Sequence, residues 1–243
     1  MPLILSLDTS TAICSVALHH VDGPHTDGLT NSVNSVLVGC YELFTERTSA
    51  AMLTTLISNV VQQSGYELKQ LDAVAVAKGP GSYTGLRIGV STAKGLCFAL
   101  NKPLLAINTL AAMAEQIRPY FPAGHLLCPM IDARRMEVYC ALYSTEGQQI
   151  KSTWAQIIDE SSFSEWLTQN PVVFFGDGAE KCRPLLSKHT NAIFPTGPLV
   201  PSARTVGQLA TLAFAEGQFE DTATFEPFYL KDFMTTQPKK VVL

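Results

Sequence analysis

Apolar residues recur along this chain with two periods, and the switches between them mark its elements. Leu3-Ile4-Leu5-Ser6-Leu7 opens a strand over 3–8, and residues 14–20 and 33–40 read as two more, with the turn-rich Asp22-Gly23-Pro24 between them. Met52, Leu53, Leu56, Ile57, Val60 and Val61 then repeat at helical spacing, which predicts a helix over 48–64 closed by Gly65 at C′. A Val-rich run at 72–77 suits a buried strand, 86–100 has helical length with no internal Pro, and a strand at 104–107 is entered through Pro103. The second half continues with a helix from Thr109 to Arg118 stopped by Pro119, and strands at 126–131 and 136–143. A helix at 161–169, a buried strand at Val172-Val173-Phe174-Phe175, and helices at 179–187 and 202–217 follow. The order predicts mixed sheets with helices on their faces.

The pattern repeats. Leu5-Ser6-Leu7-Asp8 leads to Ser15-Val16-Ala17-Leu18, and Pro129-Met130-Ile131-Asp132 leads to Val138-Tyr139-Cys140-Ala141-Leu142. In both, an Asp closes an apolar strand and an Ala-Leu pair follows nine and ten residues later. Such self-similarity points to a duplicated unit, and it fits an actin-like pair of lobes. The expected division is a first lobe over 1–108, a second over 109–218 whose last helix can pack back on the first, and a tail over 219–243. Asp8 and Asp132 would then approach the cleft from opposite sides, where paired carboxylates can hold a hydrated Mg²⁺ or orient a water. The alternative for each is a turn former at a strand end, which is what most Asp residues in that position are.

Between the strand at 72–77 and the following helix lies Gly79-Pro80-Gly81-Ser82-Tyr83-Thr84-Gly85-Leu86-Arg87-Ile88-Gly89. Glycine lets backbone come close and a helix start offers free N–H groups, so the geometry suggests an anion cradle. The residues fit neither standard nucleotide loop: Gly85 is followed by Leu86-Arg87 rather than Lys and a hydroxyl, and Thr84 takes the third glycine position of a dinucleotide fingerprint. A tight turn packing a helix closely on a sheet accounts for the same spacing.

Composition narrows the function classes. Of 243 residues, 47% are hydrophobic and 16% charged, which supports a substantial core, and the net charge of −4 argues against gripping nucleic acid by charge alone. Cys14, Cys40, Cys97, Cys128, Cys140 and Cys182 form no Cys-x-x-Cys pair and read as reduced core thiols. The chain opens on a strand with no basic leader, and no apolar run reaches the ~20 residues of a spanning helix. A cytoplasmic protein with no membrane contact is expected. His19, His20, His25, His125 and His189 include no pair three or four apart, so no helical His-x-x-x-His metal site can be drawn, and all five read as surface or turn residues. No Ser-His or Cys-His pairing emerges either.

Leu7-Asp8-Thr9-Ser10-Thr11, the Gly loop at 79–89, Ala93-Lys94-Gly95-Leu96 and Ile131-Asp132-Ala133-Arg134-Arg135-x-Glu137-Val138-Tyr139 together resemble the bacterial tRNA threonylcarbamoyladenosine biosynthesis proteins of the TsaB family. Gly176-Asp177-Gly178-Ala179 and Pro227-x-Tyr229-Leu230-Lys231 extend the resemblance over nearly the whole chain. It implies an α/β, actin-like (ribonuclease-H-like) duplicated two-lobe fold. It also implies a non-catalytic subunit that binds and activates its catalytic paralogue TsaD, with the ATPase TsaE as further partner and tRNA met through the complex. No catalytic residue, no metal site and no tightly bound cofactor are expected in this chain; ATP or ADP with Mg would belong to the complex.

Two sets of residues follow from that reading. Met52, Leu53, Leu56, Ile57 and Val60 on one helix, with Gly89, Ser91, Ala93 and Gly95 on the other, would form the partner face, and a homodimer face when the chain is alone. Asp8, Thr9, Ser10, Gly79, Gly81, Ser82, Thr84, Gly85, Arg87 and Asp132 would line a nucleotide-facing or vestigial cleft. One of Arg134 and Arg135 can pair with Asp132, with a tRNA or nucleotide contact as the open alternative, and Lys231, Lys239 and Lys240 would add a basic edge for tRNA. Relatives often carry His-Ser-Glu where this chain has Thr48-Ser49-Ala50, which leaves a Thr48 or Ser49 cap. The competing readings are a stand-alone actin-like ATPase or kinase using Asp8, Asp132 and the Gly loop, and a homodimeric scaffold for another client.

Overall fold

Leu3–Asp8 (β1) is buried along its whole length because helices cover both faces of its sheet. The computed structural model of the chain describes residues 1–26, 31–44 and 49–230. Cys14–Thr26 (β2) and Asn31–Leu43 (β3) extend the sheet antiparallel on one side of β1, and Ala73–Gly79 (β4) and Leu104–Asn108 (β5) extend it parallel on the other, in the order β3-β2-β1-β4-β5. Ser49–Gln63 (α1) and Tyr83–Leu100 (α2) pack on the face that carries Leu3, Leu5, Leu7, Val74 and Val76. Ala203–Ala215 (α6) covers the opposite face, where Ile4, Ala73, Ala75 and Ala77 meet Val206 and Ala210. On β4 strand alternation sorts Val74 and Val76 to one face and Ala73, Ala75 and Ala77 to the other, and the alanines let a helix from the end of the chain come close.

The second sheet repeats the first. Leu126–Asp132 (β6) is central, Glu137–Ser144 (β7) and Gln149–Ile157 (β8) run antiparallel beside it, and Val172–Phe175 (β9) and Ala192–Ile193 (β10) lie parallel on the far side, in the order β10-β9-β6-β7-β8. Ala179–Leu186 (α5), with the short Ser164–Leu167 (α4), covers the face carrying Cys128 and Met130. Thr109–Ile117 (α3) covers the face carrying Leu127 and Ile131, and it packs on α6. β1 and β6 are therefore equivalent strands, and Asp8 and Asp132 close them at equivalent ends. The arrangement is the actin-like duplicated two-lobe fold.

Several elements depart from the periodicity reading. Asp22-Gly23-Pro24 lies inside β2, where a register shift between Asp22 and His25 lets the ladder pass a proline that cannot donate. α2 starts at Tyr83 because Ser82 caps it, accepting from Gly85 N at 3.3 Å. The helix expected over 161–169 shrinks to α4, since Phe163 at φ 64 breaks the helical path before it. β8 carries no apolar alternation because it is a half-exposed edge, and β10 has only two residues.

Candidate functional site

The Gly loop is a cradle, and the chain itself fills it. A Cβ on Gly81 would overlap the Ser10 carbonyl oxygen, one on Gly85 would overlap the Thr9 carbonyl oxygen, and one on Gly89 would overlap Thr9 Oγ1. Ser82 N donates to Ser10 O at 2.6 Å and Thr9 Oγ1 donates to Gly85 O at 2.7 Å. The glycines therefore admit the turn after β1, with Thr9 and Ser10 fully enclosed. Gly79, at φ 112, faces the Phe228 carbonyl oxygen, 2.8 Å from where a Cβ would stand. Of the cleft residues expected from the sequence, Asp8, Thr9, Ser10, Gly79, Gly81, Ser82 and Gly85 come together here, whereas Thr84 and Arg87 point to solvent.

Asp8 is sealed in this packing. Its Oδ1 accepts from Ser10 N at 2.8 Å and from Ser10 Oγ at 2.7 Å, and its Oδ2 is buried without a partner among the described residues. Burial raises its carboxyl from 3.8 to about 6; the Ser10 bonds oppose the shift and the charge of Glu42 adds to it.

Asp132, its equivalent in the second lobe, is exposed and engaged differently. Its Oδ1 pairs with Lys181 Nζ and accepts from Arg134 N at 2.8 Å, while its own N–H donates to Asp177 Oδ1 at 3.0 Å. Lys181 Nζ also donates to the Arg135 and Glu137 carbonyls at 2.8 and 2.7 Å. This clamp holds a turn in which Arg134 (φ 68) and Arg135 (φ 47) both adopt the left-handed region. The expected arginine partner of Asp132 is thus corrected: Arg134 contributes its backbone, and the cation is Lys181. No local pattern singled out Lys181, because it arrives from α5.

The helices carry a second correction. Leu53, Leu56, Ile57 and Val60 are at most 4% exposed within the first lobe's own core, Ala93 is fully buried, and Gly89 is spent on Thr9. The apolar band of α1 is therefore no wider than the sheet face it covers. The outward residues of the expected partner face are Ser91, Gly95 and the half-buried edge at Met52. Beside them stands Phe98, 88% exposed on a regular helix, and a Cβ on Gly95 would meet nothing within 4 Å. The signal for Phe98 was present: Leu86, Val90, Ala93 and Cys97 form the core stripe of α2, and Phe98 lies one residue off it.

His19 is the third correction. It is 1% exposed, not on the surface, and it lies under α6, where Gly207 leaves room for its ring. Neither ring nitrogen has a partner among the described residues, and burial, aided by the charge of Arg204, lowers its pKa to about 4. His20 faces the other way and bonds Tyr66 Oη at 2.7 Å. The six cysteines are free thiols, five of them buried. Among the described residues no group of three or more His, Cys, Asp or Glu could hold a metal, and no helix is long and apolar enough to cross a membrane. Thr48, Lys231, Lys239 and Lys240 lie outside the described residues, as do the side chains of Ser49, Ala50 and His25.

Beyond α6 the chain returns to the first lobe as a strap. Glu220 N donates to Leu104 O at 2.9 Å, Phe228 N to Lys78 O at 2.7 Å, and Lys94 Nζ to Phe225 O at 2.9 Å. Tyr229 lies against Tyr83 with ring centroids 4.9 Å apart.

Comparison with known proteins agrees with this geometry. Residues 43–233 match the family model described as TsaD: tRNA N6-adenosine threonylcarbamoyltransferase. The tRNA threonylcarbamoyladenosine biosynthesis protein TsaB of Escherichia coli (strain K12) is 31% identical over 240 residues, covering 94% of each chain. That of Bacillus subtilis (strain 168) is 28% identical over 180 residues, covering 71% of this chain and 70% of the relative. The solved structure of YeaZ from Pseudomonas aeruginosa superposes with a TM-score of 0.71 at 26% identity, covering 95% of this chain and all of that one.

Proposed function

Because this chain belongs to the TsaB family of tRNA threonylcarbamoyladenosine biosynthesis proteins, we propose that it serves that pathway as a non-catalytic subunit, binding the catalytic paralogue TsaD through the outer face of α2. Its role in making threonylcarbamoyladenosine follows from the family. The observation that carries the subunit reading is Phe98, an aromatic ring left 88% exposed beside the open surface of Gly95. Covering that ring with a partner helix would contribute about 1.5–3 kcal/mol, and Gly95, where a Cβ would meet nothing within 4 Å, lets a second helix come close. With Met52 at its edge the same face supports a homodimer when TsaD is absent.

The first-lobe cradle argues the same way. A phosphate entering the Gly loop would have to displace Thr9 and Ser10, and the Asp8 carboxylate is turned into the core. On this reading nucleotide and Mg²⁺ belong to TsaD, TsaE is met through the assembled complex, and the site of action is the cytoplasm, where tRNA is modified.

Phe98→Asp tests the reading. It should abolish capture of TsaD while the variant's thermal unfolding stays within about 2 °C of the wild type, since the side chain is 88% exposed in the monomer. Undiminished capture would refute it. Depleting the protein from cells should lower threonylcarbamoyladenosine in tRNA.

A further inference from the structure

A groove of about 310 Å³ runs between α2 and the C-terminal strap on the first lobe, with Tyr83 and Arg87 from the end of the Gly-loop segment in its lining. Arg87, Ser91 and Lys94 form one wall, Phe225 and Glu226 the other, and Tyr229 closes one end against Tyr83. Arg87 Nη1 donates to Tyr83 Oη at 2.9 Å, and its guanidinium sits 5.3 Å from that ring's centroid. Lys94 Nζ donates to the carbonyls of Ala223 and Phe225 at 3.4 and 2.9 Å. Neither cation forms an ion pair among the described residues. The Tyr229 hydroxyl is shielded from water and has no hydrogen-bond partner among the described residues. A protein of net charge −4 thus gathers two cations and two contacting, tilted tyrosine rings around one recess.

We propose that this groove takes one nucleotide of an RNA strand, its phosphate on the Arg87 guanidinium and its base against the tyrosine pair. The proposal rests on the tRNA-modification reading above. Arg87 matches a phosphate because its fork keeps free N–H donors beyond the one spent on Tyr83. The rings give a sequence-tolerant stacking surface, and Glu226 opposite disfavours a second anionic group, which limits the site to one phosphate. The volume lies at the low end of small-ligand sites. A carboxylate side chain from a protein partner would leave most of it empty.

The test is filter binding of unmodified tRNA, across a salt series, to the complex of this chain with TsaD and TsaE, and to this chain alone. Arg87→Gln should weaken binding about tenfold and lower the slope of log K against log salt by about one, whereas Arg87→Lys should keep the slope. Tyr229→Leu should weaken binding with the slope unchanged. Unaltered affinity and slope in Arg87→Gln would overturn the proposal. So would AMP quenching tyrosine fluorescence at this groove while tRNA affinity ignores the Arg87 variants, which makes it a free-nucleotide site. Loss of TsaD capture in Arg87→Gln would overturn it as well, making the groove a protein contact. A chain that fails to capture TsaD yet loses tRNA affinity in Arg87→Gln would keep the groove and sink the subunit reading instead.

Discussion

Two buried groups on the first sheet should titrate against each other, and removing either exposes the other. Asp8 rises from 3.8 to about 6 on folding, and His19 falls from 6.5 to about 4. Between pH 4 and 6 the folded chain holds the Asp8 proton that the unfolded chain releases. Asp8 therefore stabilises the fold at low pH, and that contribution is lost as pH rises through 6. His19 runs the other way. Between pH 4 and 6.5 the unfolded chain binds a proton that the folded chain refuses, so its contribution is present above 6.5 and lost as pH falls through 4. At 1.36 kcal/mol per pKa unit, each shift corresponds to about 3 kcal/mol, and in the wild type the two nearly cancel. Asp8→Asn keeps the shape and the acceptor for Ser10 but removes one arm. Relative to wild type it should gain about 3 kcal/mol between pH 4 and 7. His19→Gln should lose about 3 kcal/mol, relative to wild type, over the same rise. The assay is urea unfolding at half-unit pH steps, read as the variant-minus-wild-type difference so that surface carboxylates drop out. Difference curves that stay flat for both variants would refute the burial argument for this face.

Two glycines of α2 should respond in opposite directions. Gly85→Ala drives a methyl into the Thr9 carbonyl and should cost about 2–3 kcal/mol or more. Gly95→Ala meets nothing and should add up to about 1 kcal/mol through helix propensity; equilibrium denaturation reads both. Lys181→Met removes the ammonium that ties Asp132 to the Arg135 and Glu137 carbonyls. It should lower stability by about 1–2 kcal/mol and speed hydrogen exchange at Ala133 and Arg134, whereas unchanged exchange there would show that the turn holds without its clamp.

The duplicated hairpins, the buried central strands, the helix of residues 49–63 and the punctuation around the Gly loop were all legible from the chain. Each is written in local period and spacing: alternation sorts Leu3, Leu5 and Leu7 from Ile4 and Ser6, and helical repeats align Leu53, Leu56 and Val60. The family signature was legible for the same reason. Which surface those patterns would meet was not. Thr9 and Ser10 occupy the glycine cradle from more than seventy residues away. α3 and α6 each cover a sheet face that local order does not specify, and α6 seals His19, which a strand pattern alone leaves on either side. Lys181 reaches Asp132 across 49 positions. Phe98 is left exposed only because the rest of its helix has turned inward. Periodicity states which residues seek cover, but what covers them depends on contacts between distant segments, and the chemistry of Asp8, His19 and the Arg87 groove is set by that cover.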